Sequence, residues 1–394
     1  MALYKEAGLV IDGLRKGKSN IKGLIYSSKF PNKKALYGLV SRTLEYSSVI
    51  LELLQECPKF KKEHQNLSEG HQWALVQDLL FGGGIKGGGK LMRSILSYRT
   101  TLQAALDSLL QKKGVASVKA LLPKAAGVTL SRHVRVNTLK ISFEDVLAQF
   151  QEEGYTLVNS PLPVASKNGK AASPKSKFLF HKDEHIDNLL VFNSSTDFHM
   201  HNLLHEGAVV LQDKASCMPA HILGSALKGH FSEGYPDSWG CIDACAAPGN
   251  KTSHLSATLD GQGQIFAFDR DEKRLLSLQR NMAKFGCENV KAVQADFLQV
   301  QPTDKQYANV VGMLVDPSCS GSGIIHRGDA CLPTSETAEE KASRLDHLAN
   351  FQVSAVTHAM SFPSAQFVVY STCSVHEEEN EDVVRRVLET HVIA

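Results

Sequence analysis

The sequence has no apolar run long enough to cross a bilayer or to form the core of a signal peptide, and its first twenty residues carry charge from the start. An intracellular protein without a membrane partner is expected. No CxxC pair occurs, so the usual spacing of a structural zinc site is missing. The eight cysteines (Cys57, Cys217, Cys241, Cys245, Cys287, Cys319, Cys331 and Cys373) are scattered over 394 residues without a secretion signal, which argues against a disulfide framework. Most should be small buried hydrophobes. No GxSxG elbow is present, which removes the commonest serine-hydrolase pattern.

What the chain has is a one-sided distribution of charge. Residues 1–135 hold 22 Lys/Arg against 9 Asp/Glu, and the remainder holds 21 against 32, for a net of +2. A basic front portion on a near-neutral chain suggests a module that binds a polyanion. Apolar residues at helical spacing predict helices over 34–56, 71–81, about 91–112 and 115–122, the last ending at Pro123. No strand pattern interrupts them. The stretch Gly82–Lys90 approaches a P-loop, but Leu91 stands where a hydroxyl must meet magnesium, and no strand precedes it. It reads as a basic loop suited to RNA phosphates.

Three regions follow: an all-helical region over 1–125, a small α+β segment over 126–235, and a doubly wound domain over 236–394. The α+β segment has strands at 132–138, 189–192 and 208–212, a helix over 143–150, and a Pro/Ser/Lys-rich loop at 161–178. From 240 onward strands and helices alternate: strands at 240–243, 264–269, 289–294, 310–315 and 366–371, with helices over 252–259, 271–285 and 345–360 and a last one starting near Glu377. This is an α/β pattern with a parallel sheet, whose ligands bind at the carboxyl ends of the strands.

The distinctive residues sit at those ends. The first strand runs into Asp243, then Cys245, Ala246, Ala247, Pro248, Gly249, Asn250 and Lys251. This turn lacks GxGxxG, so an adenosine cofactor without a pyrophosphate fits better than a dinucleotide. Asp269 ends the second strand, where a carboxylate can accept both ribose hydroxyls, and Arg274 can shape that pocket or pair with Asp269. Asp296 ends the third, placed for an adenine amino group, with Phe297 available to pack on the ring. Three such ends in order point to S-adenosyl-L-methionine. The fourth strand ends in Asp316-Pro317-Ser318-Cys319 and the fifth in Thr372-Cys373, so two thiols and a carboxylate converge on one cleft. A thiolate added at carbon 6 of cytosine makes carbon 5 nucleophilic enough to take a sulfonium methyl. An acid must offset charge at ring nitrogen 3, and a base must remove the carbon-5 proton. The target base has to leave its stack. Residue chemistry selects the cysteine pair and leaves open which of the two attacks.

The segments RVNTLK, LQDKASCMPA, DACAAPGNKT, IFAFDRDEKRL, VQADF, LVDPSCSGSG and VVYSTCSVHEEENEDVV, in that order, closely resemble the Nop/Sun-domain (Fmu/Sun-type) RNA cytosine-5 methyltransferases. IKGLIYSS and Asn250 resemble the fifth branch of that family, which modifies large-subunit ribosomal RNA. The resemblance implies a Rossmann-like methyltransferase sheet, Cys373 as covalent nucleophile, and Cys319 as the cysteine that helps release product. It places Asp316 against base and cofactor, and Lys251 near the reacting base. It assigns Cys245 to Lys251, Asp269, Arg274, Asp296 and Asp316 to the cofactor. It also implies ribosomal RNA or a pre-ribosome as partner, a nuclear and nucleolar location, and a monomer. The family's sheet continues into an antiparallel hairpin, whereas this chain stops at Ala394. Against the resemblance, either the chain is a fragment or variant, or its sheet is incomplete with an exposed edge, and any lysine-rich nuclear tail would also be missing. Alternatives are a catalytically weak RNA-binding assembly factor, and a protein or small-molecule methyltransferase for which the basic region has no obvious use.

Other residues read more plainly. His199, His201 and His205 have metal-like spacing but no nearby carboxylate or thiol in the sequence, and no metal is assigned to them. Glu377–Glu379 with Glu381 and Asp382 read as a favourable helix start. Trp73 reads as core.

Overall fold

The computed structural model describes residues 2–16, 21–85, 88–122, 131–159, 178–324 and 337–392. It divides into two units, Met1–Gly127 with Ile325–Lys341, and Val128–Ile324 with Ala342–Ala394.

Among its described residues the first unit has no strand. Its helices are α1 (Ala2–Arg15), α2 (Ile21–Ser27), α3 (Lys33–Glu45), α4 (Ser47–Glu56), α5 (Pro58–Glu63), α6 (Glu69–Leu80), α7 (Lys90–Ser97), α8 (Arg99–Lys113) and α9 (Val118–Leu121). The helix expected over 34–56 is broken at Tyr46, and the one over 91–112 at Tyr98. Serines adjoin both tyrosines, and serine competes for backbone hydrogen bonds rather than extending a helix. Each ring also has somewhere to go: Tyr46 stacks on Phe81 at 4.6 Å, and Tyr98 meets Phe60 edge-on at 5.3 Å. The periodic apolar set still points inward. Leu36, Val40, Leu44, Phe60, Trp73 and Ile95 are fully buried, each worth roughly 1.5–3 kcal/mol by removal from water. Ser68 starts α6, its hydroxyl accepting from the His71 N–H at 3.4 Å. Lys86, Gly87 and Pro123, which belong to segments singled out above, lie outside the described residues.

The second unit holds two five-stranded sheets. The smaller comprises β1 (Arg132–Val136), β2 (Thr156–Leu157), β3 (Leu179–Lys182), β4 (Leu189–Phe192) and β5 (Val209–Leu211), in the order β2-β3-β4-β1-β5. Helix α10 (Phe143–Glu152) brings Phe150 against Phe180, Phe192 and Phe198, all fully buried. Strands β2 and β3 were not anticipated. β2 is too short to show alternation, and the Pro/Ser-rich loop expected at 161–178 falls almost entirely outside the described residues. After α11 (Asn202–Glu206) comes α12 (Lys214–His230), also unanticipated because Pro219, Gly224 and Gly229 read as breakers. Pro219 lies inside the helix, where it removes the N–H that would bond the Ala215 carbonyl, and the helix nevertheless continues to His230. Gly224 lets α12 approach its neighbour, since a Cβ there would sit 2.4 Å from Thr258 Cγ2.

The larger sheet comprises β6 (Gly240–Asp243), β7 (Gln264–Asp269), β8 (Val290–Gln294), β9 (Val310–Val315) and β10 (Phe367–Tyr370), ordered β10-β9-β6-β7-β8 with every pair parallel. Its helices are α13 (Asn250–Thr258), α14 (Glu272–Phe285), α15 (Ala338–Met360) and α16 (Glu381–Val392). The expected α/β domain is therefore present as a Rossmann-like sheet. The order reverses between β6 and β9, which is where such sheets open a crevice at their carboxyl ends. The segment RVNTLK ties this unit together. Asn137 Nδ2 donates to Gly207 O at 2.9 Å and to Phe285 O at 2.8 Å, joining the small sheet to the end of α14. No described helix is long and apolar enough to cross a membrane.

Candidate active site

The turn after β6 forms a polar cavity of about 100 Å³ lined by Ser216, Asp243, Cys245, Ala246, Ala247, Pro248, Asn250, Lys251 and Asp316. Gly249 makes the turn possible. Its φ of 103° lies in the left-handed region, and a Cβ would fall 2.6 Å from Met282 Cε and 2.7 Å from Leu278 Cδ1. Two side chains from α14 hold the turn from outside. Arg274 Nη2 donates to Ala247 O at 2.6 Å, and Asn281 Nδ2 donates to Pro248 O at 2.8 Å. Arg274 also pairs with Asp269 at 3.3 Å, so it does both things expected of it.

Asp243 was not among the expected site residues, yet it lines the cavity. It is 1% exposed, accepts from Thr252 Oγ1 at 2.7 Å through Oδ2, and leaves Oδ1 without a hydrogen-bond partner. Burial, only partly offset by Thr252, pushes its carboxyl up to about 7. Its place at the very end of β6 was the available signal. Ser216, at the start of α12, was missed because that helix was missed.

Asp269 ends β7 and is buried, with Oδ1 accepting from the Asp271 N–H at 3.0 Å. Asp296 is exposed after β8 and accepts from the Leu298 N–H at 3.1 Å, capping a short 3-10 turn. Phe297 departs from expectation. Its ring is 5% exposed and packs against Phe268, His358 and Phe362, so it belongs to the sheet's core and offers no open face to an adenine. Cys245 stays a neutral thiol, burial pushing it up to about 12. The buried thiols of Cys57, Cys217, Cys241 and Cys287 are likewise raised by burial, as small hydrophobic side chains should be. Cys331 lies outside the described residues.

At the ends of β9 and β10 the remaining groups meet. Asp316 accepts from Lys251 Nζ at 2.7 Å through one oxygen and from Ser371 Oγ at 2.7 Å through the other. The Sγ atoms of Cys319 and Cys373 are 3.0 Å apart. The Cys373 N–H also points at the Cys319 sulfur, at 3.4 Å. The two thiols share a hydrogen bond in which either sulfur can be the donor, and the N–H groups of Cys373 and Gly321 are directed at Cys319. These outweigh the burial of Cys319 and bring its thiol down to about 6. The Cys373 thiol is correspondingly raised, with burial and the charges of Cys319 and Asp316 adding to the effect. The two sulfurs thus share one proton, with the added N–H contacts falling on Cys319.

Below this pair lies a second departure. Glu379, expected only to start a helix, is fully buried and accepts from the Ser320 N–H at 2.8 Å and from Gln352 Nε2 at 3.0 Å. His201 is occupied on both ring nitrogens, by Glu153 at 2.8 Å and by the Leu203 N–H at 3.3 Å.

Three family models match the chain. One describes 16S rRNA methyltransferase RsmB/F, over residues 235–394. The others describe the ferredoxin-like and N-terminal domains of NOL1/NOP2/Sun domain family member 5, over 130–212 and 34–122. The chain is 39% identical to a 28S rRNA (cytosine-C(5))-methyltransferase of Mus musculus, across 99% of this chain and 81% of that protein. It is 37% identical to the 25S rRNA (cytosine-C(5))-methyltransferase rcm1 of Schizosaccharomyces pombe, across 98% and 79%. In fold it is similar to the crystal structure of PH0851, with a TM-score of 0.57 at 19% identity, covering 98% of this chain and 90% of that one.

Proposed function

This chain belongs to the NOL1/NOP2/Sun-domain family, in its fifth-member branch, and on that premise we propose that it methylates carbon 5 of a cytosine in large-subunit ribosomal RNA. The single observation that carries the chemistry is the pair of sulfurs 3.0 Å apart beside the Lys251–Asp316 ion pair. A location in the nucleus, at the nucleolus, follows from that substrate.

The strand-end cavity suits S-adenosyl-L-methionine. The orphaned Asp243 Oδ1 offers a buried acceptor for the cofactor's ammonium group, and Asp269 offers a carboxylate at the ribose position. Cys245 to Lys251 would hold the cofactor from the turn, with Arg274, Asp296 and Asp316 around it. When bound, the cofactor supplies an electrophilic methyl on its sulfonium.

The chain's own groups do the rest. Cys373 forms a bond from sulfur to carbon 6 as its proton passes to Cys319 across 3.0 Å. The carbon 5–carbon 6 double bond opens and makes carbon 5 nucleophilic. Lys251 would offset the negative charge that develops at nitrogen 3, with Asp316 holding its ammonium group in place at 2.7 Å. Cys319 is half-exposed, so it returns its first proton to solvent. After methyl transfer it removes the carbon-5 proton, the carbon 6–sulfur bond breaks, and the ring regains its double bond. The basic residues of 1–135 contribute affinity for the RNA backbone.

The test is incubation of the purified protein with large-subunit ribosomal RNA and methyl-labelled cofactor, followed by nucleoside analysis. Label in 5-methylcytidine is expected. No label in cytosine would sink the proposal.

A further inference from the structure

Glu379 and Asn380 are neighbours in the chain, and between them they grip both cysteine-bearing turns. Glu379 is fully buried and takes the Ser320 N–H at 2.8 Å, next to Cys319. Gln352 Nε2, which donates to Glu379 at 3.0 Å, also donates to Ser318 O at 3.0 Å, on the other side of Cys319. The Tyr370 hydroxyl lies 2.6 Å from Glu379 O and 3.1 Å from Gln352 Oε1, tying this bracket to β10. Asn380 works on the other turn. Its Oδ1 accepts from Thr372 Oγ1 at 2.6 Å, and its Nδ2 donates to Ser374 O at 3.2 Å and His376 O at 2.8 Å. Cys373 lies between Thr372 and Ser374. Burial alone would raise the Glu379 carboxyl, but hydrogen bonds from Ser320, Ser374 and Gln352 outweigh it and hold the group below its ordinary value. The bracket is therefore anionic, and charge-assisted hydrogen bonds are the stiffer kind.

We propose that the Glu379–Asn380 dipeptide is a positioning element of the active site, helping to set the separation of the Cys319 and Cys373 sulfurs by holding the Cys319 turn through Glu379 and the Cys373 turn through Asn380 and the Ser374 contact of Glu379. The proposal rests on the reading of those cysteines as the reacting pair. Neither residue touches the reacting atoms. The short link between the two grips adds to the direct Ser320–Ser374, Ser322–Ser374 and Gly323–Cys373 hydrogen bonds in keeping the turns from drifting apart.

The sulfur separation can be read without any methylation assay. Diamide takes two electrons and two protons from a pair of thiols in reach of each other, leaving a disulfide. In the full-length protein its rate at Cys319–Cys373, followed by peptide mass spectrometry, serves as a ruler. Glu379→Ala and Asn380→Ala should each slow this disulfide by about tenfold or more, since a displacement of about 1 Å can cost on the order of a hundredfold in rate. Glu379→Gln, which keeps an acceptor oxygen for Ser320, should stay within about twofold of the original on the same argument. Melting curves report whether each variant is folded. Should Glu379→Ala not fold, Thr372→Val removes one hydroxyl from the Asn380 grip and should slow the reaction likewise. Unchanged disulfide rates in folded Asn380→Ala and Thr372→Val would overturn the proposal. If the unaltered protein methylates no RNA while these rates fall as stated, the catalytic reading fails and the positioning role stands. Normal methylation with unchanged rates keeps the catalytic reading and removes the positioning role.

Discussion

Cys319 Sγ lies 3.0 Å from Cys373 Sγ, at the ends of two hydrogen-bonded parallel strands, and the Cys373 N–H is aimed at the same Cys319 sulfur. The arrangement is asymmetric. Cys319 receives the Cys373 N–H and its thiol is lowered, whereas the Cys373 thiol is raised and is the more exposed of the two. In the proposed reaction the more exposed sulfur attacks and its neighbour acts as base.

From this asymmetry follows a trapping experiment. Cys319→Ala should accumulate a covalent protein–RNA adduct that survives denaturing electrophoresis, because the bond to carbon 6 forms and the carbon-5 proton then stays in place. Cys373→Ala should form none. Adducts with the second variant and not the first would exchange the two roles.

The shared proton predicts a pH dependence. Cys319 is lowered from an ordinary 9.0 to about 6, so its thiolate is present above that pH and lost as the pH falls through it. Alkylation of Cys319 by iodoacetamide in the intact protein should rise with a midpoint near pH 6. In Cys373→Ala the partner thiol is gone, and the midpoint should move up toward the ordinary thiol value. A midpoint unmoved by that substitution would mean that Cys373 is not the donor.

Lys251 and Asp316, 2.7 Å apart, form the charged wall beside the sulfurs. Lys251→Met leaves Asp316 held only by Ser371 and removes the group that offsets charge on the ring. Single-turnover methylation should fall on the order of a hundredfold or more, the usual cost of losing one such donor. Lys251→Arg should recover part of the loss. Full rate in Lys251→Met would remove Lys251 from the reaction.

Gly249 has φ 103° and no room for a Cβ between Met282 and Leu278. Gly249→Ala should cost roughly 1–3 kcal/mol of stability through backbone strain, visible as a drop in melting temperature. It should also weaken binding of S-adenosyl-L-methionine by calorimetry, since the displaced turn lines the cavity. An unchanged melting temperature would show that the turn can relax.

Much of the larger sheet was legible in the sequence. Its strands are short apolar runs bounded by helix starts, and Val310–Val315 is so continuously apolar that only a covered strand accommodates it. Strand order then placed Asp316 and Cys319 beside Ser371 and Cys373, because loops at neighbouring carboxyl ends have one crevice to share. The smaller sheet was less legible. Thr156–Leu157 is a two-residue pairing that no periodicity can reveal, and α12 was hidden by residues that ordinarily break helices. The tyrosine breaks at Tyr46 and Tyr98 were hidden for the opposite reason, since the apolar spacing runs straight through them.

Sequence alone determined the order of strands and helices in the larger sheet, the strand-end positions of the site residues, and the two candidate thiols, because these depend on local periodicity and on the chemistry of residue types. Tertiary structure decided what no local pattern encodes. It turned Phe297 into the core, left Asp243 with an orphaned oxygen, buried Glu379 among Ser320, Gln352 and Tyr370, and brought the two sulfurs to 3.0 Å. Each of these depends on groups far apart in the chain. Burial and hydrogen-bond direction are properties of the packed whole, and a residue's neighbours in sequence do not specify them.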